Sequence, residues 1–157
     1  MTVGKFQFWN WTMPPASDES VGICRYFEAV HPEPSLFGRR PVEMGRIEMR
    51  NRHLEFELLG PIGVSWRNGT IVKRMFKFEG IAAAKAQSDA AANAFYERLN
   101  NEMANQPFMT GDSYSIAEVR AIHHRLRHQT GRTKPDTSLT HLWRWHADVS
   151  ARPSAAA

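Results

Sequence analysis

Hydrophobic positions recur along most of the chain at the three- and four-residue spacings that are typical of amphipathic helices. The longest row begins after Pro41, a residue that suits the first turn of a helix. The inward positions of this row are Met44, Ile47, Asn51, Leu54, Leu58 and Ile62. The row predicts one long helix, bent near Gly60-Pro61.

Two more helices are predicted downstream. From about Ile81 the chain is rich in alanine, a strong helix former, and an i, i+4 stripe continues to the helix end near Asn105. The members of the stripe are Ala91, Phe95, Leu99 and Met103. We expect this helix to pair antiparallel with the long one. A last helix is predicted after Pro135-Asp136, and its inward positions are Leu139, Leu142, His146 and Val149.

The segment 66–80 and the end of the chain have weaker patterns. Asn68-Gly69 signals a turn, and the apolar residues that follow fit a loop or a short helix equally well. Residues 153–157 are predicted to fray, because they are small and terminal.

The front of the chain has its own organisation. Phe6, Phe8, Trp9 and Trp11 alternate in part, which favours a strand at about 5–11. A helix is predicted at about 19–30, because the polar residues 17–20 supply caps and the apolar side chains that follow share one face. These apolar side chains are Ile23, Phe27 and Val30.

A linker is predicted at 32–40. Pro32, Pro34 and Gly38 interrupt any regular element there. We expect Leu36 and Phe37 to plug this linker into the helical body.

The most complete local signal lies between Pro107 and Val119. Ser115 and Glu118 have the spacing of a capping box, in which the serine binds the Glu118 amide and the Glu118 carboxylate binds the Ser115 amide. Tyr114 and Val119 have the spacing of a hydrophobic staple. A helix is therefore predicted to begin here and to continue through Leu126 toward Gly131.

Composition narrows the class of protein. The chain has 157 residues, 42% of them hydrophobic, which suffices for one compact core. Its formal net charge is +4, but the cations are scattered, which favours a solvated surface over a nucleic-acid partner. A single cysteine excludes an intrachain disulfide and fits the cytoplasm. No stretch approaches the roughly 20 apolar residues that span a bilayer, so no membrane partner is expected.

Three blocks of sequence resemble glutathione S-transferases. The first is Pro-Phe-x-x-Gly-Asp-x-x-Ser-Ile-Ala-Glu from Pro107 to Glu118. The others are 19–28 with 32–38, and the tail 143–154, in the order that the family has them. The resemblance implies a mainly α fold, in which an all-helical C-terminal domain (41–152) follows the end of a thioredoxin-like domain (1–31) and a linker (32–40).

The resemblance also implies a chemistry. The family joins the glutathione thiolate to hydrophobic electrophiles, and a donor early in its thioredoxin-like domain ionises the thiol. We expect this chain to be truncated and to lack that donor, so no catalytic residue is assigned; Gln7 stands where the family has a cis-proline. Glu19 and Ser20 match the pair that holds the γ-glutamyl end of glutathione, although both also suit plain helix capping.

An alternative function is a non-catalytic helical interaction or dimerisation module. We expect a homodimer or a partner chain in either case, because the predicted strand would otherwise leave an apolar edge uncovered. Hydrophobic small molecules are a further expected class of ligand, and Phe56, Trp66 and Phe76 are candidates for their pocket or, equally, for the core.

Two other candidates are weaker. Cys24 fits an inert small core residue better than a nucleophile. His124 and His128 have i, i+4 spacing, but without an accompanying glutamate they fit a basic helix face better than a metal site. The flanking cations of that face are Arg120, Arg125, Arg127 and Arg132.

Overall fold

The computed structural model describes residues 19–123 and 133–155. Over these ranges the chain forms helices joined by turns and contains no β-strand, only a bridge between Phe108 and Gly111. The predicted mainly α fold is confirmed, whereas the strand predicted at 5–11 lies outside the described residues. The chain divides into two compact units, one ending at Ser35 and the other beginning at Leu36. In the described part, no helix is both long and apolar enough to cross a membrane.

The first unit contributes helix α1. This helix, Ser20–Val30, matches the helix predicted at about 19–30. It contains no buried residue, so the apolar face predicted for it is not a core face. Phe27 and Val30 are exposed, and Ser35 donates a hydrogen bond of 2.8 Å to the carboxylate of Glu28.

The predicted long helix is a continuous helical run in the second unit. It consists of α2 (Pro41–His53), a π-helical stretch (Leu54–Leu59) and α3 (Gly60–Arg67). The irregularity begins before the predicted position at Gly60-Pro61, because Pro61 has no amide to donate and the preceding turns widen. Accordingly, the Gly60 amide bonds to the Glu55 carbonyl, five residues back.

The inward row of this run is largely as predicted. Its buried members are Ile47, Asn51, Leu54, Leu58 and Ile62. Met44 is exposed instead, because the packing of α2 begins only at Ile47, one turn further along.

The undecided segment 66–80 contains a short helix followed by a turn. Helix α4 is Thr70–Phe76, and Lys77, with a φ of 52°, ends it in the left-handed conformation. Asn68 closes the base of the segment: its amide nitrogen donates to the Val64 carbonyl at 2.9 Å, and its side-chain oxygen accepts from the Ile81 amide at 2.7 Å.

Helix α5, Ala82–Glu102, runs antiparallel to the run 41–67, as predicted. Three contacts fix the direction, because their partners ascend on one helix and descend on the other. These are Arg50 with Glu102, Glu57 with Arg98 and Ser65 with Asp89.

The buried face of α5 differs from the predicted stripe at one position. Phe95, Leu99 and Met103 are buried as expected, but Ala91 is exposed and Ala92 is buried. Ala92 lies three residues before Phe95 and four before the buried Tyr96, which places it on the same helix face.

The capped turn is confirmed in outline. Helix α6 begins at Ile116, and the Ser115 amide donates to the Glu118 carboxylate at 2.8 Å. The serine hydroxyl accepts from the Ala117 amide instead of the Glu118 amide. The reason is that the hydroxyl also donates to the Glu118 carboxylate, at 2.7 Å, which holds its oxygen beside Ala117.

Tyr114 contacts two side chains that are not part of the predicted staple. Its ring lies edge-on to Phe108, at 5.8 Å between centroids, and beneath the Arg152 guanidinium at 4.1 Å. Its staple with Val119 stays a prediction. Helix α6 is described as Ile116–His123, and its predicted continuation toward Gly131 lies outside the described residues.

Helix α7, Thr140–Ser150, completes the core. Leu142 and Val149 are buried as predicted, and His146 is half-buried. The sequence prediction missed Trp145, which is fully buried because it lies three residues after Leu142 and four before Val149, on the same face. Residues 153–155 form a short 3₁₀ turn closed by the Ala155 amide on the Arg152 carbonyl, and the fraying of 153–157 stays a prediction.

Leu36 and Phe37, the first two residues of the second unit, pack within that unit, as predicted. Phe37 is buried, and the carbonyl of Leu36 accepts a hydrogen bond of 2.9 Å from the Ile116 amide. That amide is one of the four at the start of α6 that have no partner within the helix. The linker therefore helps to cap α6.

Candidate functional site

Glu19 and Ser20 lie next to each other at the amino end of α1, and both are exposed. The Glu19 backbone is extended, with φ −100° and ψ 119°, and its carbonyl accepts a hydrogen bond of 3.0 Å from the Ile23 amide. Its side chain makes no capping hydrogen bond. The carboxylate thus makes no hydrogen bond to the first amides of the helix, which weakens the interpretation of Glu19 as a side-chain cap.

This end of α1 has the chemistry to bind a zwitterion. The first amides of a helix lack partners within it and carry partial positive charge, which favours a bound carboxylate. The Ser20 hydroxyl is a further donor at the same point. The Glu19 carboxylate, one residue earlier, is an acceptor for an ammonium group.

Cys24 lies one turn further along α1. It is half-buried, and no residue of α1 is buried, so the expected core position is not observed.

The basic face expected around α6 is interrupted at Arg120. Its side chain is only 16% exposed, and the guanidinium lies 3.4 Å from the Glu55 carboxylate. Arg120 is therefore an ion-pair partner inside the bundle and not part of a solvated face. His124, His128, Arg125, Arg127 and Arg132 lie outside the described residues. Within residues 19–123 and 133–155, no three His, Cys, Asp or Glu side chains are grouped as for a metal.

The three aromatic pocket candidates do not converge. Phe56 and Phe76 expose 68% and 67% of their surface, and Trp66 is half-buried. Phe56 and Phe76 are thus not core residues, because they lie on the outer side of the π-helical stretch and of α4. Neither of the two grooves described below is lined by any of the three.

The sequence analysis missed a polar cluster centred on Asp89. Its carboxylate accepts hydrogen bonds from Ser65 and Lys85, each at 2.5 Å, and from Thr133. Burial acts to raise the pKa of Asp89, but these hydrogen bonds lower it below its ordinary value. Only the i, i+4 pair of Lys85 and Asp89 was visible in the sequence; the other partners are 24 and 44 residues away.

Two polar grooves adjoin this cluster. One, of about 340 Å³, is lined by Gly69, Thr70, Lys85, Asp89, Asn93, Thr133 and Lys134. The other, of about 370 Å³, is lined by Asn93, Glu97, Lys134, Asp136, Ser138 and Leu139. Because the Ser65 and Thr133 hydroxyls are already committed to Asp89, we assign the cluster to holding α3, α5 and the segment before α7 together.

The helical bundle with its capped α6 is similar in fold to glutathione S-transferases. A glutathione S-transferase domain-containing protein of Marinobacter aquaeolei VT8 matches it with a TM-score of 0.78 and 25% identity, over 88% of this chain and 68% of that one. The theta class glutathione S-transferase of Xanthomonas axonopodis pv. citri, solved with glutathione bound, matches with a TM-score of 0.67 and 20% identity, over 87% of this chain and 64% of that one. At that identity the second match shows the fold alone.

A relative in sequence supports the same relationship. Glutathione S-transferase 2 of Saccharomyces cerevisiae is 25% identical over 138 residues, which are 87% of this chain and 59% of the yeast protein. No protein-family model matches the chain. The chain is therefore a distant relative of the glutathione S-transferase family, as its motifs indicated. Because it spans only 59% of the yeast protein's length, the activity of whole transferases is taken up below as a proposal.

Proposed function

We propose that this chain is a glutathione-transferase-like protein that binds glutathione at the amino end of α1. The observation that carries the proposal is the exposed Glu19 carboxylate, which is not used in capping, beside Ser20. Glu19 pairs with the ammonium of the γ-glutamyl group, and the Ser20 hydroxyl and amide bind its carboxylate. Glutathione as the ligand is supported by the Xanthomonas transferase, which has a similar fold and was solved with glutathione bound.

We propose that the protein binds glutathione without catalysing its conjugation. A thiol with an ordinary pKa near 8.5 is only a few per cent ionised at neutral pH, so conjugation to a hydrophobic electrophile needs a donor that stabilises the thiolate. The motifs that carry the resemblance include no residue to which this role is assigned, so the proposal names no catalytic residue. We propose that the protein is cytoplasmic. We also propose that a thioredoxin-like portion at 1–31 is followed by a linker at 32–40 and by a helical C-terminal domain at 41–152.

Isothermal titration with glutathione at millimolar concentration tests the site. Wild type should bind, and Ser20→Ala and Glu19→Gln should each weaken binding by about 1.5–3 kcal/mol, the contribution of a hydrogen bond to a charged group. Glu33→Gln, which removes an exposed acid of the same unit, is the matched control. If no heat is released, or if Ser20→Ala binds as tightly as wild type, the site is not there.

A non-catalytic interaction module is the second candidate function. It is favoured by a row of exposed apolar side chains, Val42, Met49 and Phe56, spaced seven residues apart along α2 and the π-helical stretch. Such rows are suited to packing against a partner. The predicted homodimer belongs to this candidate, and sedimentation equilibrium tests it: twice the chain mass, halved by Phe56→Ser, would support it.

An assay of glutathione conjugation to an aromatic halide separates the two candidates from an enzyme. Rates at the uncatalysed background, with a folded protein, fit both proposals. Turnover well above background would overturn the assignment of binding without catalysis.

A further inference from the structure

One stretch of the surface combines large apolar side chains with cations. Val72 anchors α4 in the second unit, but all the residues from 74 to 79 are exposed. Met75 exposes 68% of its surface and Phe76 nearly as much, and Phe78 and Ile81 are exposed as well. We call Met75, Phe76, Phe78 and Ile81 the apolar tip. Large apolar residues clustered in this way mark interaction sites, whereas scattered ones do not.

The apolar tip has a fixed base. Asn68 is buried and binds the Ile81 amide at 2.7 Å, which ties together two points 13 residues apart. Gly80 packs tightly in the same base, with a φ of +61° and the Asn68 carbonyl oxygen 3.1 Å from where a Cβ would be. The residues of the tip therefore project from a loop whose two ends are joined by the hydrogen bond between Asn68 and Ile81.

The charge around the tip has one dominant sign. Lys73, Arg74 and Lys77 alternate with the apolar residues, and Glu79 is the one acid between 73 and 79. Basic side chains beside exposed aromatic and aliphatic groups match a surface that is apolar within and negatively charged at its boundary. An anionic lipid bilayer has these two properties.

The shape of the tip favours a flat partner over a peptide. An amphipathic peptide helix is bound in an apolar groove, whereas the two grooves described above are polar and are lined by no residue of the tip. We propose that the apolar tip docks on membranes that contain anionic lipid, with Met75, Phe76, Phe78 and Ile81 entering the interface and the neighbouring cations pairing with headgroups. This contact lies at the membrane surface and does not involve glutathione.

Vesicle co-sedimentation of the full chain tests the proposal. The protein should sediment with phosphatidylcholine vesicles that contain about 30% phosphatidylserine, should bind much less to phosphatidylcholine alone, and should be released by salt, because exposed charges are screened. Neutralising Lys73, Arg74 or Lys77 to Gln should weaken partitioning about fivefold for each cation removed. The double change Met75→Ser with Phe76→Ser should weaken it about tenfold or more.

Met44→Ser is the matched control, since Met44 is an exposed apolar residue on another helix, α2. It should sediment like wild type, and circular dichroism should show every variant folded. The proposal is overturned if wild type does not bind, if neutral and anionic vesicles bind equally, or if the double variant binds like Met44→Ser. A dimer that the double variant dissociates would assign the tip to a second copy, which also overturns it.

Discussion

The carboxylate of Glu118 accepts a hydrogen bond of 2.6 Å from the backbone amide of Met109, nine residues earlier in the chain. Its second oxygen binds the amide and hydroxyl of Ser115, and the side chain is fully buried. One carboxylate therefore joins the turn before α6 to the first turn of that helix. Met109 in turn accepts, through its carbonyl, a hydrogen bond of 3.2 Å from the buried Arg50 of α2.

Glu118→Gln should destabilise the fold by about 1–3 kcal/mol. Glutamine has one carbonyl oxygen for two backbone amides, and its NH₂ group would face the other amide without an acceptor. Urea denaturation measures the free energy of unfolding. Glu97→Gln, which changes an exposed acid on α5, is the matched control and should stay within about 0.5 kcal/mol of wild type. Equal stability of the two variants would contradict the role given to Glu118.

The effect of Glu118→Gln should depend on pH. Burial raises the pKa of Glu118 above its ordinary value, against the hydrogen bonds from Ser115 and Met109. The folded protein then binds this proton more readily than the unfolded chain, so the carboxyl contributes stability as the pH falls through the folded pKa and loses it as the pH rises. The stability difference between wild type and Glu118→Gln should therefore widen as the pH falls from neutral toward the ordinary value of 4.5. Urea midpoints that keep the difference constant would refute this.

Asp89→Ala should destabilise by about 1–3 kcal/mol, because Ser65 and Thr133 lose their shared acceptor. The pKa of Asp89 is lowered, so its contribution is present at neutral pH and is lost as the pH falls below the ordinary value of 3.8. The gap between wild type and variant should close in that acid range. Asp148→Ala, at an exposed position of α7, serves as the control for urea denaturation; a gap that persists in acid would argue against the carboxylate as the cause.

Asn100 of α5 caps α7 from outside. Its side-chain oxygen accepts from the His141 and Leu142 amides at 3.0 and 3.1 Å. Asn100→Ala should cost about 0.5–2 kcal/mol, as for the loss of an N-cap. Asn100→Asp keeps the acceptor and should retain most of the stability. Thermal unfolding compares these variants with Asn101→Ala, an exposed neighbour that should have little effect; similar losses at 100 and 101 would exclude the cap.

Gly80→Ala should destabilise the fold, whereas Gly45→Ala should stabilise it. At Gly80 φ is +61°, and a Cβ would lie 2.8 Å from Lys73 Cε and 3.1 Å from the Asn68 carbonyl oxygen, so alanine should cost about 1–3 kcal/mol. At Gly45, inside α2, nothing lies within 4 Å of a Cβ, and alanine should add about 0.5–1 kcal/mol through helix propensity. Thermal unfolding decides; stabilisation by Gly80→Ala would show that the loop base is not strained by a side chain.

Much of the helical framework was predictable because helix formation here follows local rules. The row from Ile47 to Ile62, Pro41 as a first-turn residue and the pair of Ser115 and Glu118 are visible within a few residues of sequence. The π-helical stretch at Leu54–Leu59 was not predictable from periodicity, because it depends on how the turns before Pro61 accommodate a missing donor. The segment 66–80 was undecided for a similar reason: its base is closed by the hydrogen bond between Asn68 and Ile81, which are 13 residues apart.

The candidate site was likewise predictable from the sequence only in part. The position of Glu19 and Ser20 at a helix start follows from sequence, since neighbours in the chain stay neighbours on the helix. That Glu19 does not cap its helix, that Arg120 pairs with Glu55, and that Phe56 and Phe76 face solvent instead of a pocket were decided only in three dimensions.

The sequence by itself determined most of the helical segments, most of their inward faces and the family relationship, because these properties depend on residues spaced three to seven positions apart. Only the tertiary structure decided how charges are paired and which aromatic side chains are covered. Asp89, for example, meets Thr133 from 44 residues away. Burial depends on side chains from helices that are distant in the chain, and the sequence of one helix does not specify which of them pack against it.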